Sequence, residues 1–381
     1  MYIGGNPQGH RGVCLRLCRG VAVILWIFLL GTRVCIPVSA ATDNILQEYR
    51  EYEGRFEAIR RREDIEANGY DIIEAHIFPV VFESFGEEEL TFLPAMDKRY
   101  HRMAVFLADG KGDILYKTNQ LETNNRILGV LGQPNRDIAS VSFQDADRDG
   151  FTDIILLTKC VNDTGEYAGR EYKVGDVLFQ KEQSFYRDWR ISDKINRFGM
   201  NKSANCILSF VRDGNSAEFL YTATTLEELL DNGFSIIKEQ CYTREFEKLG
   251  RLKVVPGTFR LSEYDIFMIY LVNEQGDIVW SFQPMGDYDN LYSLRGIKGL
   301  DLDGDGMKDL VVSARYSKEG ADGQLVVESR CAIYYQRTGG FDIDKGFEEY
   351  YKETNEPAME ELTMEELVIK IREYWGWKTE E

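Results

Sequence analysis

Asp145-Ala146-Asp147-Arg148-Asp149-Gly150-Phe151-Thr152-Asp153 and Asp301-Leu302-Asp303-Gly304-Asp305-Gly306-Met307-Lys308-Asp309 share one pattern, D-x-D-x-D-G-x-x-D, and each runs directly into an apolar stretch. Alternate acidic positions in a tight loop aim their carboxylates at one centre. Calcium, a hard cation that takes six to eight oxygens, suits such a centre. Gly150 and Gly306 permit the turn that brings the last aspartate back, and a carbonyl from Phe151 or Met307 can add an oxygen. The expected ligand sets are therefore Asp145, Asp147, Asp149, Phe151 and Asp153 in one loop, and Asp301, Asp303, Asp305, Met307 and Asp309 in the other. An Asp-Gly-rich surface turn without metal has a similar composition, but four unneutralised carboxylates in one loop would repel. Magnesium demands a compact octahedron and keeps its waters, so calcium is expected at two structural sites. The loops are not EF-hands: the twelfth position is Leu156 or Val312 inside an apolar run, where an EF-hand carries a glutamate on a helix.

Working outward, the two loops are landmarks of a longer repeat. A shift of 164 residues matches Asn68-Gly69 with Asn232-Gly233, Ile72-Ile73 with Ile236-Ile237, Phe82-Glu83 with Phe246-Glu247, Gly86 with Gly250, Tyr100 with Tyr264, and Gly112-Asp113-Ile114 with Gly276-Asp277-Ile278. Downstream the shift is 156, matching the Asp loops, Gln180 with Gln336, Phe185 with Phe341 and Asp188 with Asp344. The first copy thus carries eight extra residues (164 − 156) between Asp113 and Asp145, around Asn119 to Arg136, where a surface loop is expected.

Each copy opens on a short helical stretch closed by Asn-Gly, Ile59 to Ala67 and Leu226 to Leu230. Short β-branched and aromatic runs follow: Arg102 to Ala108, Ile114 to Lys117, Ala139 to Phe143, Ile154 to Thr158 and Val177 to Gln180. Phe267 to Val272, Ile278 to Phe282, Leu310 to Ser313 and Ala332 to Tyr335 repeat the theme. Thr363 and Glu366 form a capping-box pattern before a helix that puts Leu367, Ile371 and Trp375 on one face, read as packing against the β body.

The loops with their following strands, Asp145 to Leu157 and Asp301 to Val312, resemble the FG-GAP or VCBS repeats of integrin α-chains and bacterial surface proteins. A weaker likeness extends to Val177–Phe185 and Ala332–Phe341. That resemblance implies calcium loops and a β-propeller, although family repeats recur at roughly sixty residues and these loops lie 156 apart. The expected fold class is mainly β with flanking helices, internally duplicated and β-propeller-like. The alternative is two tandem β-sandwich-like domains.

The domain reading is a signal peptide over 1–40, an N-terminal helical segment 41–67, repeat unit 1 over 68–195, connector strands and helix over 196–231, repeat unit 2 over 232–348 and a C-terminal helical tail 349–381. The leader has Arg11, Arg16, Arg19 and Arg33 with no acid, an apolar run from Val21 to Leu30, and Val38-Ser39-Ala40 before a cleavage point after Ala40. The apolar run is about half the roughly 20 residues of a membrane helix, and so a secreted or cell-surface protein is expected. Membrane attachment is expected only through this segment if it is uncleaved. Cys160, Cys206, Cys241 and Cys331 remain after it, either as buried thiols or with one disulfide.

A net charge of −19 argues against a nucleic-acid surface and favours solubility or cation binding, so no nucleic-acid partner is expected. Catalytic signatures such as G-x-S-x-G, H-E-x-x-H and G-x-x-x-x-G-K are absent, and His76 and His101 are replaced by Gln240 and Asp265 under the repeat. Paired carboxylates for a glycosidase or lyase remain compatible with 64 acids, and Trp189, Trp280, Trp375 and Trp377 could stack on sugars or pack in cores. Asn162-Asp163-Thr164 and Asn201-Lys202-Ser203 fit the glycosylation pattern. Two functions stand: a non-catalytic binding or adhesion module for an extracellular protein or glycan, and a secreted polysaccharide-acting hydrolase or lyase with structural calcium.

Overall fold

The computed structural model describes residues 38–162, 169–286, 290–320, 323–344, 346–354 and 357–377. The leader up to Pro37 with its three cysteines, and Asp163-Thr164 of the first glycosylation pattern, lie outside the described residues. Helix α1 (Val38–Ala58) falls in a unit of its own ending at Arg60, and residues 61–381 form the second unit. No helix among the described residues is long and apolar enough to cross a membrane.

The second unit is mainly β, with four antiparallel sheets and several helices. Helix α2 (Arg62–Ala67) leads into the first sheet: β1 (Tyr70–Ile72), β2 (Phe78–Val81), β3 (Glu89–Asp97), β4 (Met103–Ala108) and β5 (Ile114–Thr118), in the order β1-β3-β4-β5 with β2 also on β3. The second sheet is a simple meander of β6 (Asn135–Gln144), β7 (Asp153–Val161), β8 (Glu171–Lys181) and β9 (Ser184–Tyr186). Four helices come next: α3 (Trp189–Arg197), α4 (Ala204–Asp213), α5 (Phe219–Thr222) and α6 (Leu226–Asp231). The stretch 196–231, expected to hold strands as well as a helix, is therefore helical throughout its regular structure. Its apolar residues recur at helical spacing, and Ser203 and Thr225 cap α4 and α6 by accepting from the amides of Cys206 and Glu228.

The sheet pattern then repeats. The third sheet has β10 (Ser235–Ile236), β11 (Tyr242–Phe246), β12 (Gly250–Leu261), β13 (Tyr264–Val272) and β14 (Ile278–Phe282), in the order β10-β12-β13-β14 with β11 also on β12. The fourth is a meander of β15 (Asn290–Leu300), β16 (Asp309–Glu319), β17 (Leu325–Arg337) and β18 (Gly340–Ile343). Helices α7 (Phe347–Glu353) and α8 (Met364–Tyr374) close the chain, the latter with the expected Thr363/Glu366 capping box.

Register shows how far the copies agree. The β6–β7 ladder slips at Asn135/Asp137 and Ile138/Ser140, and β15–β16 slips at Leu291/Ser293 and Leu294/Gly296, each 156 residues on. The uniform shift of 164 fails at one place. Ile72 pairs with Ala95 and Ile236 with Gly257, so the second strand of the pair is displaced by 162. Two extra residues lie between Gly86 and β3 in the first copy. The second copy restores the count by lengthening its β12–β13 hairpin, so Tyr100 sits in a turn whereas Tyr264 starts a strand.

Long apolar runs arise because the middle strands are covered on both faces, and successive side chains of a strand point to opposite sides. Ile154 and Leu156 of β7 face a core shared with the first sheet, built on Phe82, Phe92 and Val105. Ile155 and Leu157 face α3 and α4 through Ile195 and Ile207. On β13, Phe267, Ile269 and Leu271 pack toward the fourth sheet, while Met268 and Tyr270 meet the helix layer at Leu220 and Leu229. Val311 of β16 meets α8 at Leu367 and Ile371, the face read from the sequence, and Trp375 adds a hydrogen bond from Nε1 to the Tyr335 hydroxyl at 2.7 Å. Cys160, Cys206, Cys241 and Cys331 are all free thiols.

Candidate metal centre

Both Asp loops join the first two strands of a meander, β6 to β7 and β15 to β16. Their first aspartates organise the turn by accepting backbone amides. Asp145 accepts from Asp149 at 3.2 Å and Gly150 at 3.0 Å; Asp301 accepts from Gly304 at 2.8 Å and Gly306 at 3.0 Å. Phe151 and Met307 donate their amides to Asp149 and Asp305 at 2.9 and 2.8 Å. Gly150 and Gly306 have φ of 90° and 83°, which glycine adopts without the cost a side chain would bring.

The carboxylates converge in part as the spacing suggests. Asp145, Asp147 and Asp149 offer oxygens within 4.8 Å of one another, and so do Asp301, Asp303 and Asp309. Asp153 and Asp305 stand outside these groups. Burial and the neighbouring Asp149 and Asp145 charges push the Asp147 carboxyl above its ordinary range.

Asp153 and Asp309 are buried ties between the loop and the sheet. Asp153 accepts from the amides of Ala146 and Gln180, both at 2.8 Å, and Asp309 from those of Leu302 and Gln336, again both at 2.8 Å. Burial pushes their carboxyls up to about 6 and about 7 despite these donors. The pairing of Gln180 with Gln336 under the repeat is thus a pairing of two amide donors.

A second recurring partner escaped the sequence reading as to role. Glu83 accepts from the Thr152 amide at 2.8 Å and the Thr152 hydroxyl at 2.9 Å. Glu247 accepts from the Lys308 amide at 2.7 Å and also pairs with the Lys308 ammonium. Each glutamate precedes the third strand of its copy and reaches across to the eighth loop position. Their match under the shift of 164 was the available signal; the contact across sheets was not readable locally. Phe185 and Phe341 likewise occupy equal places, edge-on to Phe82 and Phe246.

The loops differ in their countercharge. Arg337 lies 2.8 Å from Asp303 and 3.0 Å from Asp305, and Arg372 donates to the Asp301 carbonyl at 2.8 and 3.1 Å. Burial opposes it, but the Asp303 bond and the neighbouring acids hold the Arg337 guanidinium above its ordinary value. In the first loop Arg148 pairs with Asp213 of α4 at 2.6 Å.

No family model matches this chain, and no curated protein matches it. Among solved structures the chain is similar to an exotype rhamnogalacturonan lyase, YesX, with 11% identity and a TM-score of 0.21 over 71% of this chain and 48% of that one. It is also similar to an exo-inulinase from Aspergillus awamori, with 11% identity and a TM-score of 0.20 over 73% of this chain and 47% of that one. The chain spans about half the length of these solved structures, and likenesses this slight transfer nothing to it.

Proposed function

We propose that this chain is an exported calcium-binding protein of FG-GAP or VCBS type, acting as a non-catalytic binding or adhesion module at the cell surface toward an extracellular protein or glycan. The four sheets are then propeller-like blades, with α3 to α6 inserted between the second and third. The observation that carries the reading is the convergence of three carboxylates within 4.8 Å in each of two equivalent loops. Two Ca2+ ions would be held by Asp145, Asp147 and Asp149 and by Asp301, Asp303 and Asp309, with the Phe151 and Met307 carbonyls and water as further donors. Asp153 and Asp305 complete the proposed acid sets.

The metal's role in this reading is structural. It neutralises a crowded loop that the buried Asp153 or Asp309 already ties to its sheet, and so stabilises the folded state in proportion to its occupancy. A hydrolase needs paired acids facing a cleft. The acid groups here accept backbone amides of their own turns and sheets, a bracing role that favours the non-catalytic reading. Isothermal calorimetry of the metal-stripped chain should show two calcium events with Kd of about 1 mM or tighter. Absence of heat from calcium, or equal heat after Asp145→Ala and Asp303→Ala, would sink the proposal.

A further inference from the structure

The second Asp loop is gripped from outside by the residues that end α8. Arg372, in the last turn of that helix, donates through Nε and Nη2 to the Asp301 carbonyl at 3.1 and 2.8 Å. Its guanidinium lies 4.4 Å from the centre of the Trp377 ring. Trp377 in turn covers Gly304: a β-carbon built on that glycine would stand 3.2 Å from the indole Nε1 and 3.4 and 3.5 Å from two ring carbons. Trp377 reaches this place through a Schellman turn, in which Gly376 takes φ 80° and the amides of Gly376 and Trp377 donate to the Glu373 and Arg372 carbonyls, both at 2.9 Å. Beneath the grip, Leu302 of the loop is buried with Leu367 and Ile371 of α8. We infer that the segment from Arg372 to Trp377 is a strap on the second loop, and that calcium in this loop and seating of the strap strengthen each other. The inference rests on the calcium reading of that loop.

The sign of the coupling follows from which atoms each partner takes. The strap uses the Asp301 carbonyl and the uncovered backbone of Gly304, neither of which is among the expected metal donors. Ion and strap therefore do not exclude one another, whereas Arg337 lies on Asp303 and Asp305 themselves. Both also require the same turn. The Asp301 carboxylate bends the loop by accepting from the amides of Gly304 and Gly306, and that bend presents the Asp301 carbonyl and Gly304 together to Arg372 and Trp377. Two partners that select one conformer couple positively, and each shifts the other by the same factor. The Arg372 charge opposes an incoming cation. A surface charge pair is worth a factor of about five at most, and fixing the backbone of even two residues is worth more, so the shared turn wins.

The first copy has no such device. Its fourth loop position is Arg148, whose side chain pairs with Asp213 of α4 at 2.6 Å. That helix is buried through Cys206, Ile207 and Leu208, and the loop is tied to an element that does not lift alone. In α8 the last buried residue is Ile371, one position before Arg372, so the strap can open while the core beneath it stays closed.

The test uses the full chain carrying Asp145→Ala, which leaves the second loop as the calcium site, with calcium and with chelator. Calorimetry should show Arg372→Met and Trp377→Ala each weakening calcium about fivefold with an unchanged circular-dichroism spectrum. Neither should alter the first loop, measured in an Asp303→Ala background. Hydrogen exchange at the amides of Trp375, Gly376 and Trp377 should slow about fivefold on adding calcium, and Asp303→Ala should abolish the slowing. Arg372→Lys keeps the charge but loses the two-pronged bond, and should behave like Arg372→Met. Unchanged or raised calcium affinity in either variant, exchange that calcium does not slow, or full rescue by Arg372→Lys would overturn the strap and leave the calcium reading intact. No calcium heat from the parent chain would overturn the calcium reading, and the linkage with it.

Discussion

Arg337 Nη2 lies 2.8 Å from Asp303 Oδ2, and the Asp303 side chain keeps only 6% of its surface exposed. A protein cation thus occupies part of the ground that a metal would take in the second loop, with no counterpart pair among the described contacts of the first. Arg337→Gln should lower the melting temperature of the calcium-free protein and raise the affinity of the second loop about fivefold, which is about 1 kcal/mol, the upper end for a surface ion pair. Calcium titrations of both proteins, with the first loop disabled by Asp145→Ala, compare the two. An unchanged calcium affinity would show that Arg337 does not compete.

Arg148 stands at φ 65°, where the second loop has Gly304 at 86°. A side chain in that conformation costs about 1 kcal/mol, whereas the exposed Arg148–Asp213 pair contributes about 0.2–1 kcal/mol. The strain wins narrowly, and Arg148→Gly should stabilise the protein by about 0.5 kcal/mol in urea denaturation. A loss of 1 kcal/mol or more would mean that the ion pair outweighs the strain.

Asp176 is fully buried, and burial pushes its carboxyl from 3.8 up to about 6. The folded state therefore holds the proton more tightly than the unfolded chain does. Its contribution to stability is present below about pH 4 and is lost as pH rises through 6, on the order of 2–3 kcal/mol in all. Denaturation midpoints in chelator should carry this downward component from pH 4 to 6, and Asp176→Asn should remove it. An identical pH slope in the variant would contradict the assignment.

Gly257 has ordinary φ, but a β-carbon there would fall on the Ser235 carbonyl oxygen and the Phe234 ring. Its structural counterpart in the first copy is Ala95, which pairs with Ile72 without such an obstacle. Gly257→Ala should cost about 1–3 kcal/mol by overpacking, measured as a shift in the urea midpoint, and Ala95→Gly should cost less. Equal effects would imply that the third sheet relaxes freely around Phe234.

What the sequence made legible follows from the range of each interaction. The acidic spacing located both loops, and the apolar runs located β7 and β16, because both signals are local. The repeat carried Glu83/Glu247 and Gln180/Gln336 as matched letters, but their bonds to Thr152, Lys308, Asp153 and Asp309 cross between strands distant in sequence. Arg337 over Asp303 is unreadable for the same reason. Within 196–231 the helix at Leu226 to Leu230 was legible, whereas α4 and α5 were not separated from strands, because they are short and their apolar residues are divided between two cores. The network around Asn124, which accepts from the Met103 amide and donates to the Met103 and Asn119 carbonyls, was hidden because a polar, turn-rich segment reads as exposed unless its buried partners are known.

Phe210 of α4 packs against both the core under the second sheet and the core under the third, with Ile207 turned to one and Cys206 to the other. Evolution by copying would leave two halves able to part, yet this one helix is lodged in both. A gene cut after Asp213 would yield a front fragment with α4 bare on one side and a rear fragment missing the lining of its own interior. The duplication survives in the outline of the molecule, while its separability has been given up.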